Sequence, residues 1–192
     1  MKNNKSILFL CILLIAITVS GCGLLADEKP DTAITNPDKP DVNGESEDVK
    51  EQGQFSSVDL DGNLVTQEIF ADSKLTFVNV WATYCGPCIN EMPYLGELAG
   101  EYDSSEVQII GIPSDVVNQE YLDYAKSLVE QTGADYVHIL PTEDVYNWGL
   151  YNIQYVPTTF FVNSDGEIMD TVVGSMSKED WKILIDDKLA SM

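Results

Sequence analysis

The sequence has no arginine and a single histidine, and its cations are few. Ten lysines face 32 acidic side chains, so the formal net charge is −22. Without a guanidinium group, the chain cannot use the bidentate geometry by which arginine binds phosphate or carboxylate. A surface this acidic also repels nucleic acid and anionic lipid headgroups. We therefore expect no nucleic-acid partner.

Cysteine is also scarce, with four in the chain, and only Cys85 and Cys88 form a C-x-x-C motif. Cysteines at this spacing across a first helical turn can close a disulfide. The first sulfur then lies where unpaired N–H groups and the helix dipole stabilise a thiolate, the nucleophile of disulfide exchange. Half of a zinc site looks the same, but a second C-x-x-C is missing. The motif therefore predicts a redox-active pair rather than a structural disulfide or a metal site.

Residues 1–21 have the pattern of a signal peptide. Lys2 and Lys5 precede an apolar run over residues 7–19, shorter than the roughly 20 residues that a membrane-spanning helix needs. The run ends in Val-Ser-Gly-Cys, which resembles the lipobox of lipoproteins, where the cysteine carries lipid and becomes the new N-terminus. We predict that Cys22 is lipidated and anchors the protein to the bacterial cell membrane. The alternative is an ordinary secretory signal with an incidental cysteine.

Residues 23–53 are polar and acidic, and they show neither helical nor strand periodicity. We predict a disordered acidic tether there. Residues 54–192 are enough for one folded domain with a single core. Once the signal peptide is removed and Cys22 carries lipid, no cysteine remains for a structural disulfide. Export also places Cys85 and Cys88 where disulfides persist.

Strand and helix patterns alternate through residues 54–192. Asp61-Gly62-Asn63 predicts a hairpin turn between residues 54–60 and 64–67, and Asn163-Ser164-Asp165-Gly166 predicts a second hairpin. The other predicted strands are 75–81, 107–112, 136–140, 158–162 and 167–173, and the predicted helices are 86–102, 118–132, 142–151 and one beginning at Ser177. Together they predict a three-layer α/β sandwich with a mixed central sheet and an N-terminal β-hairpin.

Three further features stand out: W-A-T-Y-C-G-P-C at residues 81–88, Pro93, and Y-V-P-T-T at residues 155–159. Together they resemble the thioredoxin superfamily. Three further stretches restrict the resemblance to one branch of that superfamily: the hairpin sequence F-S-S-V-D-L-D-G-N, V-N-V-W before the dithiol, and N-E-M-P after it. They are similar to the TlpA/ResA-like extracytoplasmic branch, whose members are membrane-anchored thiol–disulfide oxidoreductases. The resemblance covers essentially all of residues 54–192 and implies a thioredoxin-like fold.

The resemblance also implies roles for individual residues. Cys85 and Cys88 would be the catalytic dithiol, and a cis peptide before Pro157 would bring the Val156–Pro157 loop against it. Substrate would bind along Val156 and Pro157 and against Tyr84, Gly86 and Pro87, which surround the first cysteine.

Glu91 aligns with a glutamate near the active site of ResA-like proteins, and helical spacing puts it on the Cys88 side of its helix. It could shuttle the proton of the resolving thiol; the alternative is a solvated surface glutamate. Asn79 stands where thioredoxins themselves carry a buried acid, so the acid–base role would pass to Glu91 or water. Trp81 is expected in the core, and His138 is expected to be structural or exposed.

By this resemblance, the expected activity is reduction of disulfides in exported client proteins by a membrane-anchored extracytoplasmic enzyme. Gly86-Pro87 matches reducing thioredoxins rather than strong oxidants. No cofactor is expected beyond the Cys85–Cys88 disulfide. Implied partners are clients of the apocytochrome c or methionine sulfoxide reductase type and a membrane electron donor of the CcdA or DsbD type. We expect a monomer.

Three alternatives belong to other functions. A disulfide oxidase or isomerase would share the fold and the dithiol. A thiol peroxidase would need Thr or Ser in place of Ala82 and an arginine, which the chain lacks. A copper-delivery protein would pair C-x-x-x-C with a histidine after the Pro157 loop, whereas here the cysteine spacing is one residue shorter and His138 precedes that loop.

Overall fold

The described part of the chain is residues 55–192 of a computed structural model. The predicted signal peptide, the lipidated Cys22 and the tether over residues 23–53 lie outside the described residues. Within the described range, no helix is both long enough and apolar enough to cross a bilayer.

Over residues 55–192, seven strands and four helices follow one another in the order that the sequence predicts. The strands are β1 (Ser56–Val58), β2 (Leu64–Thr66), β3 (Leu75–Trp81), β4 (Val107–Pro113), β5 (Val137–His138), β6 (Thr158–Asn163) and β7 (Ile168–Val173). The helices are α1 (Gly86–Ala99), α2 (Gln119–Thr132), α3 (Glu143–Val145) and α4 (Lys178–Ala190), with a 3-10 turn at Gln67–Asp72 and a π turn at Tyr146–Leu150.

The central sheet has five strands in the order β5-β4-β3-β6-β7. β3 runs parallel to β4, and β4 parallel to β5, whereas β6 and β7 are antiparallel to their neighbours. All of β3 is buried, as its nearly continuous apolar sequence predicts for a strand covered on both faces. The predicted mixed α/β sandwich and the N-terminal hairpin of β1 and β2 are confirmed.

Alternate residues of β3 divide the core into two sides. Phe77 packs with Leu95 of α1 and Trp181 of α4 on one face of the sheet. Val78 and Val80 pack on the other face against the hairpin, the 3-10 turn and the α3 region. The two packed faces make the three layers and leave the carboxyl end of β3 to meet the start of α1.

Most element boundaries differ from the sequence prediction by one to three residues, and three differences have a visible structural basis. α1 ends at Ala99 rather than residue 102, because the Gly100 N–H turns back to the carbonyls of Glu97 and Leu98. The predicted strand 136–140 shortens to β5, whose two residues lie opposite Ile110 and Gly111 of β4. The predicted helix 142–151 is three residues of α3 followed by the π turn, whose wider coil coincides with stacking of Trp148 on Phe70, ring centroids 5.2 Å apart.

Helices α1 and α2 meet at a glycine. A Cβ added to Gly96 would lie 2.4 Å from the carbonyl oxygen of Gly133, which ends α2 in the left-handed conformation. The contact is made by backbone on the α2 side, so no side chain can turn away to make room. The close approach of α1 to α2 therefore requires glycine at position 96.

We expect Gly96→Ala to lower the free energy of unfolding by about 1–3 kcal/mol, as overpacking of a fitted contact does. Gly100→Ala is the matched control, because its new Cβ would meet nothing closer than 3.5 Å, and its effect should stay within about 0.5 kcal/mol. Urea unfolding followed by circular dichroism measures both. Equal effects of the two substitutions would contradict the close-approach argument.

Candidate functional site

The dithiol lies at the start of α1, beyond the carboxyl end of β3. Cys85 caps the helix: its carbonyl accepts the Ile89 N–H at 3.1 Å, and its Sγ accepts the Cys88 N–H at 3.2 Å. The two cysteines form a disulfide. Cys85 is 6 % exposed and Cys88 is 0 % exposed, so a second molecule can approach only the Cys85 sulfur.

The helix start also favours a negative charge on that sulfur. A backbone N–H already points at Cys85 Sγ, and the positive end of the α1 dipole lies beside it. Both effects stabilise a thiolate over a thiol. The geometry therefore suits Cys85 to nucleophilic attack and Cys88 to a shielded second step.

The loop before β6 lies against the dithiol. The Val156–Pro157 peptide is cis, as the sequence resemblance implies. The Val156 carbonyl oxygen lies 3.6 Å from Cys85 Sγ, close enough to accept a hydrogen bond from that sulfur when it is a thiol. The Pro157 carbonyl accepts the Gly174 N–H at 2.8 Å, which fixes the loop to the start of the α4 connection.

The predicted substrate-binding residues surround the Cys85 sulfur. Tyr84, Gly86 and Pro87 are exposed, Val156 is half-buried and Pro157 is buried. A cleft of about 420 Å³ lies between Tyr84 and the Val156 loop, and its other lining residues include Val117, Tyr146, Leu150 and Tyr155. Of the predicted substrate-binding residues, Tyr84 and Val156 therefore line this cleft.

Glu91 lies in the core, only 2 % exposed, so the alternative of a solvated surface glutamate is wrong. One carboxylate oxygen accepts the Asn79 side-chain N–H at 3.1 Å, and the other accepts the Trp181 indole N–H at 3.3 Å. Asn79 also donates to the Thr159 hydroxyl at 3.3 Å. A single carboxylate thus connects α1, β3 and α4, and through Asn79 it reaches the strand that follows Pro157.

Burial raises the pKa of Glu91 to about 7, although hydrogen bonds from Trp181, Asn79 and the Met176 backbone favour the charged form. A carboxyl group that titrates near neutral pH can both accept and release a proton under ordinary conditions. The side chain is therefore chemically suited to the proton transfer predicted for it.

His138 is another buried titratable group and lies against Trp81. The Trp81 indole N–H donates to His138 Nδ1 at 3.3 Å, so His138 Nε2 carries the hydrogen and donates to the Ala134 carbonyl at 3.1 Å. Burial lowers the pKa of His138 to about 4, which keeps the ring neutral. Trp81 is fully buried, as expected. His138 is structural rather than exposed.

Sequence reasoning missed two contacts that shape the site. Trp181 donates to Glu91 from α4, 90 residues away in the sequence. Asp115 accepts the Thr83 N–H at 3.0 Å and the Thr83 hydroxyl at 2.6 Å, which ties the loop before Cys85 to the loop after β4. Both residues fit ordinary patterns, a helix face and a polar turn, so no local signal distinguishes them.

No metal-binding group of three or more His, Cys, Asp or Glu side chains is present among residues 55–192. The chemistry that the described residues can perform at this site is therefore that of a dithiol, a buried carboxyl group and the backbone of the Val156 loop.

Comparison with known proteins agrees with this chemistry. Residues 39–185 match the family described as Redoxin. The thiol–disulfide oxidoreductase ResA of Bacillus anthracis is 31 % identical over 131 residues, which cover 68 % of this chain and 72 % of that protein. ResA of Bacillus cereus is 27 % identical over 179 residues, covering 93 % and 94 %.

A solved structure has the same fold. The thioredoxin-family thiol:disulfide interchange protein of Chlorobium tepidum superposes with a TM-score of 0.60 at 26 % identity, covering 71 % of this chain and 94 % of that one. Family match, ResA relatives and fold agree with the cysteine pair at the start of α1. The chain therefore belongs to the redoxin family, in the TlpA/ResA-like branch of the thioredoxin superfamily, and is a thiol–disulfide oxidoreductase.

Proposed function

We propose that this oxidoreductase works outside the cytoplasm, held to the membrane by lipid on Cys22, and reduces disulfides in exported proteins through Cys85 and Cys88. One observation carries the proposal. The Cys85 sulfur lies 3.2 Å from the Cys88 N–H and 3.6 Å from the Val156 carbonyl, at the only edge of the dithiol that a client can reach.

In the reduced enzyme, the Cys85 thiolate attacks one sulfur of a client disulfide. The client S–S bond breaks, its other sulfur leaves as a thiolate, and Cys85 is joined to the client by a mixed disulfide. Cys88 then loses its proton and attacks Cys85, which releases the second client thiol. The two client thiolates take up the proton that Cys88 released and one proton from water. The client thus gains two electrons and two protons, and the enzyme is left with the Cys85–Cys88 disulfide.

An extended client segment is proposed to lie along Val156 and Pro157. Support comes from the Val156 carbonyl beside Cys85 and from the exposed Tyr84, Gly86 and Pro87 around the sulfur. Backbone contacts of this kind hold a segment in place without reading its side chains.

Glu91 is proposed to take up the proton that Cys88 releases. It lies one helical turn after Cys88, both side chains are buried, and burial has brought the pKa of the carboxyl group to about 7. Asn79 is itself uncharged and instead donates to Glu91, so the two residues divide the task that a single buried acid performs in thioredoxins.

The direction, the partners and the location are proposed from the sequence. Gly86-Pro87 favours reduction, and the redox centre is the disulfide alone, without a further cofactor. Residues 23–53 would tether a monomeric domain to the lipid on Cys22. Electrons would come from a membrane protein of the CcdA or DsbD type and go to clients of the apocytochrome c or methionine sulfoxide reductase type.

A Cys88→Ser protein, expressed in its own cells, should accumulate mixed disulfides between Cys85 and clients, because the resolving thiol is gone. Non-reducing electrophoresis with and without dithiothreitol shows the adducts, and mass spectrometry identifies the partners. Cys85→Ser is the control and should trap little. The roles are reversed if Cys85→Ser traps the clients instead, and exchange itself is excluded if neither variant traps anything while the wild type turns over.

The reduction potential of Cys85 and Cys88 tests the direction. We expect a value nearer to that of thioredoxin, about −270 mV, than to that of DsbA, about −120 mV, because Gly86-Pro87 does not stabilise the reduced form strongly. Equilibration with glutathione buffers, followed by alkylation of the free thiols, gives the potential. A value close to that of DsbA would make the protein an oxidase of the same class.

Substitution of Glu91 by Gln tests its buried charge. The pKa of the Glu91 carboxyl group is higher in the folded protein than in the unfolded chain. The wild-type carboxyl group therefore stabilises the fold at low pH, and this contribution is lost as the pH rises through about 7. From about pH 5 to about pH 8, the unfolding free energy of the wild type should fall by about 2–3 kcal/mol relative to Glu91→Gln.

The matched control is Glu130→Gln, because Glu130 is exposed. The difference in unfolding free energy between wild type and Glu130→Gln should stay nearly constant from about pH 5 to about pH 8. His138 is present in every variant, so its own titration cancels. A difference in unfolding free energy between wild type and Glu91→Gln that does not change with pH would show that the carboxyl group is not desolvated.

In Glu91→Gln, the rate at which Cys88 releases the client should also lose its inflection near pH 7. An unchanged pH profile would exclude Glu91 from the proton transfer.

A further inference from the structure

Three tyrosines and a glutamate line a second cleft, which shares Tyr84 with the cleft beside the Val156 loop. Its lining residues are Thr83, Tyr84, Glu120, Tyr121 and Tyr124, which we call the tyrosine cleft, and its volume is about 480 Å³. Tyr84 is 77 % exposed, Tyr121 41 % and Tyr124 51 %. Aromatic rings left this open to water are available to a ligand.

The local sequence of α2 builds one wall of the tyrosine cleft. Glu120, Tyr121 and Tyr124 are spaced so that they share one face of the first turns of the helix. Asn118 caps that end by accepting the Tyr121 N–H at 3.1 Å. The facing wall is the Thr83–Tyr84 segment, held through Thr83 by Asp115. Both walls are therefore fixed by hydrogen bonds.

Among the described residues, the tyrosine cleft is lined by one negative side chain and by no positive one. Glu120 lies in it, and the Asp115 carboxylate stands directly behind Thr83. Every lysine in residues 55–192 forms an ion pair elsewhere; Lys126, which is also on α2, binds Asp61 at 3.0 Å. A cationic group that enters the cleft therefore meets the Glu120 carboxylate and no cationic side chain of the described residues.

We propose that the tyrosine cleft binds a lysine or arginine side chain of the client, close in sequence to the cysteine that Cys85 attacks. The inference rests on the proposed function and adds a preference among its substrates. The cleft wall ends at Tyr84, the residue before Cys85. Because the cleft wall is continuous in sequence with Cys85, we expect the bound residue two or three positions from the client cysteine, roughly 7–10 Å along an extended chain.

The chemistry of the cleft selects a cation over other occupants. The faces of tyrosine rings attract ammonium and guanidinium groups, and the attraction strengthens as water is displaced. An apolar side chain would cover Glu120 and leave its charge without a partner, which costs free energy. An acidic side chain would be repelled. The aliphatic part of lysine or arginine fits against the rings while the charge reaches Glu120.

Peptides that carry one cysteine as a mixed disulfide with 4-thiopyridine test the proposal. The Cys85 thiolate of the reduced full-length protein forms a bond to the peptide sulfur and expels 4-thiopyridone, which carries no charge and absorbs light. Cys88 then releases the peptide thiol, and the two electrons come from the enzyme dithiol. Three otherwise identical peptides carry lysine, glutamine or norleucine on both sides of the cysteine.

We expect the lysine peptide to react about 3- to 10-fold faster than the glutamine and norleucine peptides at low ionic strength, with the advantage shrinking in concentrated salt. Glu120→Gln, and separately Tyr121→Leu with Tyr124→Leu, should bring the lysine-to-glutamine ratio towards one. Glu130→Gln removes one negative charge elsewhere on α2 and should leave the ratio unchanged.

Other results of the peptide assay would contradict either the cation preference, its assignment to the cleft or the proposed function. Equal rates for all three peptides would exclude a cation preference while leaving the oxidoreductase function intact. Equal loss of the ratio in Glu120→Gln and Glu130→Gln would assign it to the net charge of the molecule instead of the cleft. A norleucine peptide as fast as the lysine peptide would make the cleft an apolar one. Failure to react with any peptide would instead contradict the proposed function.

Discussion

The hydrogen bonds of one buried carboxylate hold together the elements that carry the dithiol. Glu91 on α1 accepts from Asn79 on β3 and from Trp181 on α4, and Asn79 continues to Thr159, two residues after Pro157. A charge placed in a core is costly unless it is paired or hydrogen-bonded, and here the cost appears as a pKa of about 7. The same contacts that make burial tolerable fix the helix start relative to the cis-proline loop. Structure and proton chemistry therefore depend on the same side chain.

The position of the cysteines follows from that arrangement. β3 ends where α1 begins, so Cys85 takes the capping position and its sulfur meets the Cys88 N–H. The cis-proline loop closes the other side of the sulfur and leaves one direction of approach. Packing of the loop therefore determines how a client reaches the Cys85 sulfur, whereas the start of α1 determines how reactive that sulfur is. A disulfide exchange enzyme needs both, because an exposed second cysteine would compete for the client.

The charged residues near Cys85 determine a property that the backbone fold does not, namely which client charges the surface attracts. The chain has no arginine, and each lysine of residues 55–192 is engaged with a carboxylate. The tyrosine cleft consequently presents tyrosine rings and the Glu120 carboxylate. Such a surface favours cationic client segments through both encounter and contact. Thioredoxin-like enzymes with the same backbone can differ in preference through these few side chains.

Features that depend on residues close together in the chain could be predicted from the sequence, because local residue patterns determine turns, strands and helix starts. The C-x-x-C motif, the period of the strands and the Asp-Gly turn at Asp61 predict the dithiol, the mixed sheet and the first hairpin. Tertiary structure decided what depends on residues distant in the chain: the burial of Glu91, its bond to Trp181, the tie between Asp115 and Thr83, and the short β5. It also brought α2 beside Tyr84 to form the tyrosine cleft. No single stretch of sequence encodes such contacts, since each needs two segments whose approach is set by packing of the whole core.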